Sequence, residues 1–297
     1  RAFSTPNDTA IIYHNEKITF NQLEKRASAI AQFLEEKGIE PGACVGLCLK
    51  RTPDMIAAMY GVLKAGCAYM FMLDSFPAAR MQYMLEISSA AVLLYDEIPS
   101  VVSDEISPCQ AFKLPGGEVD GYVNRPINDD GLTNILFTSG STGIPKGVMA
   151  CHRSVLDYVE HLCDVLKFDE NSVFGNQTPL YFDAPLKEIM PTLKFGATAY
   201  LIPKQLFMFP VKLVEYLNEH RVNTICWVVS ALTMISSLGV LEKTPPEHLT
   251  TVCFGSEVFP KKQYELWRNA LPEARFFNLY GPTEATGMSC YWPATRE

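Results

Sequence analysis

The chain alternates between segments with helical spacing of apolar residues and short runs of consecutive apolar residues. In "EKITFNQLEKRASAIAQFLEEKG", apolar residues recur every three or four positions, which predicts an amphipathic helix. Thr19 or Asn21 would cap the start of this helix, and Gly38 would close its end. In "PDMIAAMYGVLKAG", Pro53 and Gly66 bound a second predicted helix in the same way.

Short apolar runs predict buried strands between the helices. The predicted strands are "ACVGLCL", "AAVLLYD", "LTNILFTSG", "ATAYLIP", "NTICWVV" and "TTVCFGS", and further helices are predicted in "RSVLDYVEHLCDVL", "VKLVEYLNEH" and "KKQYELWRNAL". This alternation predicts an α/β fold of packed α/β subdomains, with largely parallel sheets flanked by helices. Ligands of such sheets bind outside the carboxyl ends of the strands. Residues 100–130, rich in Pro, Gly and Asp, are a candidate subdomain boundary.

Composition and charge exclude several functional classes. The 297 residues are 48% hydrophobic and 20% charged, which predicts an ordered core, and the net charge of −8 argues against nucleic-acid binding. Without a signal peptide or an 18-residue apolar run, we expect a cytoplasmic protein that does not contact a membrane. Nine cysteines without a C-x-x-C pair predict free thiols in a reducing compartment.

The segment "TSGSTGIPKG" at 138–147 has the parts of a phosphate-binding loop. Its glycines let backbone amides converge, its hydroxyls add donors, and Lys146 adds a positive charge. It is not a P-loop, because Pro145 stands at the second glycine position and Gly147 at the position of the metal-binding hydroxyl. By composition alone, the segment could equally be a structural turn.

The ordered string "TSGSTGIPKG" closely resembles the signature loop of the ANL adenylating superfamily. This superfamily contains acyl-CoA synthetases, luciferases, the adenylation domains of nonribosomal peptide synthetases and D-alanine–carrier-protein ligases. Further segments resemble family elements in the family's order: "ITFNQL", "LKAGCAYM", "FDAPLKEI", "FGSEVFP" and "NLYGPTEAT". The resemblance extends from about residue 5 to the end of the chain, and it implies the α/β N-terminal core of this superfamily.

The resemblance also implies a reaction, in which a substrate carboxylate attacks the α-phosphorus of ATP to give an acyl-adenylate and pyrophosphate. The residues implied to hold the phosphates are Thr138, Ser139, Gly140, Ser141, Thr142, Gly143 and Lys146. Those implied to line the adenine are Gly255, Ser256, Glu257, Asn278, Leu279, Tyr280, Gly281 and Pro282, with the Tyr280 ring as a stacking surface. Thr283 would contact the α-phosphate and Glu284 would hold Mg²⁺, so that with Lys146 they form the implied catalytic set.

Asp183 of "FDAP" stands where amino-acid-activating members of the superfamily have an aspartate. A buried substrate ammonium needs an opposing carboxylate, so Asp183 favours an α-amino acid over the substrate of a CoA ligase. Alternatively, Asp183 only caps the following helix. The implied substrate pocket consists of Asp183, Ala184, Lys187, Cys226, Val252, Phe254, Leu279, Gly287 and Met288.

Two interpretations of Lys187 remain open. It could pair with an acidic substrate side chain, or it could pair with Asp183 or reach solvent, and the second interpretation is favoured. The mostly apolar pocket, made shallow by Phe254, fits a small amino acid such as D-alanine.

The family pattern continues past the last motif with a ribose-binding aspartate, a hinge and a small domain that carries a catalytic lysine. None of these lies within the 297 residues, so we expect residues 1–297 to be a truncated core that binds ATP weakly and adenylates poorly alone. The expected function is amino-acid activation for transfer to the phosphopantetheine thiol of a carrier protein. The alternatives are an acyl-CoA ligase and a non-catalytic nucleotide-binding module. The amino acid, the carrier and the oligomeric state are not determined.

Overall fold

The structure is a computed structural model that describes residues 4–139, 143–183 and 185–294. The strands are β1 (Thr9–Tyr13), β2 (Glu16–Thr19), β3 (Cys44–Cys48), β4 (Ala68–Phe71), β5 (Ala90–Tyr95), β6 (Gln110–Lys113), β7 (Leu132–Thr138), β8 (Lys146–Cys151), β9 (Val173–Asn176), β10 (Thr198–Leu201), β11 (Thr224–Val228), β12 (Thr251–Gly255), β13 (Arg275–Tyr280) and β14 (Cys290–Pro293). The helices are α1 (Phe20–Glu36), α2 (Pro53–Lys64), α3 (Ala78–Ile87), α4 (Ser100–Ser103), α5 (His152–Leu166), α6 (Leu186–Phe195), α7 (Pro210–Glu219), α8 (Val229–Ser237), α9 (Val240–Lys243) and α10 (Lys261–Ala270), with short 3-10 turns at Lys204–Met208 and Thr283–Ala285.

Two sheets organise this part of the chain. The larger sheet has the order β14-β13-β12-β11-β9-β10-β1-β2, and the smaller has the order β6-β5-β3-β4-β7-β8. Neighbouring strands are parallel except at the edge pairs β1–β2, β13–β14 and β7–β8. The predicted α/β fold with largely parallel sheets is therefore confirmed. The antiparallel strand β8, which directly precedes α5, was not predicted.

The helix boundaries follow from local sequence signals. Thr19 is the cap of α1, since its hydroxyl accepts a hydrogen bond from the Gln22 amide at 3.2 Å and the Gln22 side chain accepts one from the Thr19 amide at 2.9 Å. Gly38 follows the end of α1 with a φ of 71°, in the left-handed region that glycine adopts without strain. α2 begins at Pro53 as predicted.

The core is layered. One cluster of buried apolar side chains lies between the two sheets and includes Ile56 of α2, Leu162 of α5 and Ile189 of α6. A second cluster packs α3 on the smaller sheet through Met84, and a third packs α10 on the larger sheet through Trp267. Burying an apolar side chain of this size stabilises the fold by about 1.5–3 kcal/mol. Six of the nine cysteines are buried, and all nine are free thiols.

Residues 100–130 contain the short helix α4 and the edge strand β6, which pairs with β5. The strands that follow, β7 and β8, join the same sheet as β5. The smaller sheet is thus continuous across the expected boundary, and the division into subdomains stays a prediction. Within the described residues, every helix is too short or too polar to span a lipid bilayer.

Candidate functional site

A cleft of about 830 Å³ opens at the carboxyl ends of β11, β12 and β13. We call it the strand-end cleft. It is lined by Thr178, Asp183, Lys187, Cys226, Trp227, Val228, Cys253, Phe254, Gly255, Ser256, Glu257, Val258, Phe259, Lys261, Tyr264, Asn278, Leu279, Tyr280, Gly281, Pro282, Gly287, Met288, Trp292 and Ala294. Residues implied by the resemblance for the substrate and for the adenine therefore face one space. Its location is the one that parallel α/β sheets favour for ligands.

One wall of the strand-end cleft comes from the segment that leads into α6. The Phe182 amide donates to the Pro179 carbonyl at 3.2 Å, and the Leu186 amide, at the first residue of α6, donates to the Asp183 carbonyl at 3.0 Å. Asp183 and Lys187 are half-buried and both face the cleft. Ala184, which lies between them, is outside the described residues.

The structure does not contain an ion pair between Lys187 and Asp183, which one interpretation of the sequence expects. Among the described residues, no ion pair within 4.0 Å and no side-chain hydrogen bond involves either residue. The ends of these two side chains are therefore available to a ligand.

The opposite wall is the turn that follows β12. A side chain at Gly255 would place its Cβ only 2.1 Å from the Leu279 carbonyl oxygen, so glycine is required where β12 and β13 approach each other. Ser256 adopts a positive φ of 69°. The Glu257 carboxylate accepts a hydrogen bond from the Ser230 amide at 2.7 Å, near the start of α8. Glu257 thus stabilises a helix start as well as lining the cleft.

The turn after β13 presents Tyr280 to the strand-end cleft with 70% of its side chain exposed. The chain then doubles back, and the Ser289 amide donates to the Tyr280 carbonyl at 2.8 Å. A Cβ on Gly281 would lie 1.8 Å from the Gly287 carbonyl oxygen, so these two segments touch backbone to backbone. Leu279 is buried at the base of the turn, and Met288 is half-buried.

The segment "TSGSTGIPKG" connects β7 to β8 as a hairpin. Thr138 and Lys146 are register partners at its base, and the Tyr83 hydroxyl donates to the Pro145 carbonyl at 3.3 Å. Gly143 has a φ of 80°. Gly140, Ser141 and Thr142 lie outside the described residues. Lys146 is exposed at the first position of β8, rather than in the loop itself.

This hairpin and the tyrosine-bearing turn are neighbours. β8 contacts the short turn Thr283–Ala285, which joins Tyr280 to Gly287. Glu284 is exposed on this turn and makes no ion pair within the described part of the chain. Thr138, Ser139, Gly143, Lys146, Thr283 and Glu284 are not among the residues that line the strand-end cleft. The hairpin of the smaller sheet and the tyrosine-bearing turn of the larger sheet thus meet through β8 and the turn Thr283–Ala285, which lies between the cleft residues Pro282 and Gly287.

A buried polar network holds α6 on the strand ends. The Glu188 carboxylate is fully buried and accepts hydrogen bonds from the Asn176 side-chain amide and, at 3.2 Å, from the Cys226 backbone amide. Arg51 donates to both the backbone carbonyl and the side-chain oxygen of Asn176. Burial raises the pKa of Glu188 to about 7, although Asn176, the Cys226 amide, Lys187 and Arg51 act in the opposite direction.

Sequence reasoning missed several residues of the site. Cys253 lines the cleft because it is the register partner of Cys226 on the adjacent parallel strand, and the neighbouring Cys253 thiol together with burial raises the pKa of Cys226. Aligning "NTICWVV" with "TTVCFGS" as parallel neighbours would have suggested this pair. Arg51 and Glu188 were also missed, because their partners come from other elements: Arg51 binds Asn176, 125 positions away, and Glu188 binds the Cys226 amide, 38 positions away.

Known proteins are similar to this chain along nearly its whole length. A family model described as AMP-binding enzyme matches residues 1–297. Gramicidin S synthase 2 of Brevibacillus brevis is 31% identical over 295 residues, covering 96% of this chain and 6% of that protein. Indigoidine synthase of Streptomyces lavendulae is 31% identical over 304 residues, covering 99% of this chain and 23% of that protein. The chain thus spans less than a quarter of the length of these relatives.

Two solved structures share the fold. The nonribosomal peptide synthetase FmoA3 in its AMPPNP-bound form matches with a TM-score of 0.87 and 24% identity, over 98% of this chain and 32% of that chain. VinN in complex with L-aspartate matches with a TM-score of 0.82 and 18% identity, over 98% of this chain and 76% of that chain. With the family model matching from the first residue to the last, this chain belongs to the AMP-binding enzymes of the ANL adenylating superfamily.

Proposed function

We propose that this chain is the part of an amino-acid-activating ligase that binds ATP and the amino acid. The reaction forms an aminoacyl-adenylate and releases pyrophosphate, and the aminoacyl group then passes to the phosphopantetheine thiol of a carrier protein. The observation that carries the proposal is that Asp183 and the Tyr280 turn line the same cleft of about 830 Å³. This volume lies within the range of about 300–1,000 Å³ that is usual for small-molecule sites.

The nucleotide half of the proposal is supported by the chemistry of the two turns. The exposed Tyr280 ring offers a flat stacking surface for a base, and Ser256 and Glu257, which follow the adjacent strand β12, line the same cleft. An exposed aromatic ring in a concave site is the kind of surface on which bases stack. A protein with the same fold has been solved with AMPPNP bound, which supports nucleotide binding by this fold.

The amino-acid half rests on Asp183. Its half-buried carboxylate has no partner among the described residues, and a substrate ammonium would supply the missing charge. FmoA3, which shares the fold, is a nonribosomal peptide synthetase by name, and VinN was solved with L-aspartate. A CoA ligase for a simple carboxylic acid would gain nothing from a carboxylate at this position.

The proposed catalytic residues lie on the hairpin and on the turn Thr283–Ala285, which meet through β8. Lys146 would neutralise phosphate charge, together with Thr138, Ser139, Gly143 and the undescribed residues between them, and Thr283 would contact the α-phosphate. Such transfers depend on positioning and charge neutralisation more than on a nucleophilic side chain. The exposed Glu284 carboxylate suits Mg²⁺, which prefers carboxylate oxygens together with phosphate and water ligands. When bound, Mg²⁺ would offset negative charge on the phosphates.

Ligand stabilisation of this chain tests the nucleotide half. A nucleotide that binds the folded state at a hundred times its Kd stabilises it by about 2.7 kcal/mol. We therefore expect ATP with Mg²⁺ to raise Tm by several degrees, with Mg²⁺ alone as the control. An unchanged Tm at millimolar ATP would remove the basis for a nucleotide site here.

Pyrophosphate exchange in the full-length gene product tests the amino-acid half. Twenty amino acids and D-alanine are screened, and Asp183→Asn should abolish the exchange that the best of them supports. Asp164→Asn is the matched control, because Asp164 is exposed on α5 away from the cleft. If exchange persisted undiminished in Asp183→Asn, the role of Asp183 would be wrong. If no amino acid supported exchange but simple carboxylic acids did, and CoA accepted the product, the protein would be an acyl-CoA ligase instead.

A further inference from the structure

The strand-end cleft contains two opposite charges with no protein partner. Asp183 lies three residues before the first residue of α6, Lys187 is the second residue of that helix, and both side chains face the cleft. Both side chains are half-buried, and no described residue forms an ion pair with either of them within 4.0 Å. A half-buried charge loses part of its hydration, so a ligand that supplies the opposite charge would be stabilised there.

The nearest protein carboxylate does not neutralise Lys187. Glu188 is adjacent in sequence, but its two carboxylate oxygens are occupied by the Asn176 side-chain amide and the Cys226 backbone amide. Lys187 and Arg51, which reaches Asn176, both act on this carboxylate through space, but neither forms an ion pair with it within 4.0 Å. Burial also favours the neutral form of Glu188, which further reduces the negative charge near Lys187.

The other charged residues of the cleft are already engaged. Glu257 accepts a hydrogen bond from the Ser230 amide, and Lys261 lies 3.9 Å from Glu265 with 89% of its side chain exposed. The thiols of Cys226 and Cys253 line the region between α6 and the strands without adding charge. Among the described residues that line the cleft, Lys187 is therefore the half-buried cation without an ion-pair partner.

We propose that the amino acid activated at this site carries an acidic side chain, with its ammonium on Asp183 and its side-chain carboxylate on Lys187. This inference rests on the proposed function, since it assumes that the cleft holds an amino acid. It replaces the expectation of a small uncharged substrate. A substrate such as aspartate or glutamate carries an ammonium and a side-chain carboxylate on one small molecule, and Asp183 and Lys187 line one cleft.

The experiment uses stable aminoacyl-adenylate analogues, in which a sulfamate replaces the phosphate, and measures their binding to this chain by calorimetry. The aspartyl and glutamyl analogues are compared with the asparaginyl, glutaminyl and alanyl analogues, which share the same nucleoside. We expect an acidic analogue to bind about 10- to 100-fold more tightly than its amide, because a hydrogen bond between two charged groups is stronger than one to a neutral amide. The alanyl analogue should be weaker than the acidic one.

Variants assign the preference to one residue. Lys187→Met should remove the preference by weakening the acidic analogue, while the amide changes less than about 3-fold. Lys187→Glu should move the preference to the lysyl or ornithyl analogue. Lys261→Met is the matched control, since Lys261 also lines the cleft but is exposed and lies near Glu265, and it should keep the preference for the acidic analogue. Thermal unfolding of each variant verifies that it is folded.

The outcomes separate the two proposals. If all analogues bind and the amides or the alanyl analogue bind as tightly as the acidic ones, the acidic specificity is wrong and the proposed function stands. If the folded Lys187→Met variant still binds the acidic analogues more tightly than the amides, the acidic specificity is likewise wrong and the proposed function stands. If no analogue binds, the proposed function fails, and the inference that rests on it fails with it.

Discussion

Arg51, between β3 of the smaller sheet and α2, donates a hydrogen bond of 2.6 Å to the backbone carbonyl of Asn176, which ends strand β9 of the larger sheet. The same guanidinium reaches the Ile202 carbonyl at 2.7 Å, just after β10. The Asn176 side chain in turn donates to Glu188 on α6. One buried network thus connects both sheets to the helix that carries Lys187, so the geometry of the proposed substrate site depends on a contact between sheets.

Replacing Arg51 with methionine should lower the free energy of unfolding by about 2–4 kcal/mol. The Asn176 and Ile202 carbonyls would lose charged donors, and Glu188 would lose a nearby cation. Urea denaturation measures the loss. Lys50→Met is the matched control, because Lys50 is exposed and pairs only with exposed Glu97, and such pairs contribute about 0–1 kcal/mol. Equal losses in the two variants would show that the contact between the sheets is not stabilising.

Glu188 should make the stability of the protein pH-dependent. Its pKa is raised from 4.5 to about 7 in the folded state, so folding favours the protonated form. This contribution is complete below about pH 4.5 and is lost as the pH rises through 7, at a cost of up to about 3 kcal/mol. The Arg51 guanidinium keeps its charge across this interval, and the Cys253 thiol and burial raise the pKa of Cys226 well above its ordinary value.

The measurement is urea denaturation of the wild type and of Glu188→Gln at pH 5, 6, 7 and 8. The wild type should lose stability relative to the variant as the pH rises. Glutamine does not titrate, so a difference in the free energy of unfolding that is the same at every pH reflects the changed hydrogen bonds. A difference that grows with pH reflects the titration of Glu188. Parallel profiles for the two proteins would mean that Glu188 does not titrate in this range.

Much of the fold could be predicted because its signals are local. Thr19 caps α1 and Pro53 starts α2 through contacts with residues a few positions away, and the apolar runs of the parallel strands are visible in the sequence. β8 could not be predicted in this way. Its apolar run, residues 148–151, is short and is exposed or half-buried rather than buried, and its pairing with β7 becomes visible only in the sheet.

The site was predictable to the extent that it consists of short motifs. The turns at Gly255 and Gly281 have backbone contacts that exclude any side chain, which explains why glycine stands at these positions. The absence of an ion pair between Asp183 and Lys187 could not be predicted, because four-residue spacing brings two side chains to one helix face without fixing where their ends point. The network around Glu188 depends on tertiary contacts that no local pattern encodes.

Gly281→Ala should destabilise the protein and impair ligand binding together. Its Cβ would lie 1.8 Å from the Gly287 carbonyl oxygen and 2.6 Å from the Met288 Cα, so the backbone that lines the cleft must shift. We expect a loss of about 1–3 kcal/mol, the usual cost of overpacking, with weaker binding of ATP. Gly116→Ala is the matched control, because nothing lies within 4 Å of a Cβ there, and it should be neutral or slightly stabilising. ATP affinity unchanged in folded Gly281→Ala would contradict this account of the turn.

Tyr280→Ala should weaken ATP binding while leaving stability nearly unchanged. The ring is 70% exposed, so folding gains little from it, but stacking of a base on an aromatic side chain is worth about 1–3 kcal/mol, or about 5- to 150-fold in Kd. Tyr291→Ala is the matched control: Tyr291 is an exposed tyrosine on the adjacent strand β14 that does not line the cleft. Calorimetric titration of ATP into both variants measures the difference. Because the two substitutions remove the same side chain, an equal effect on Kd would mean that the base does not stack on Tyr280, and the nucleotide would then have to lie elsewhere in the strand-end cleft.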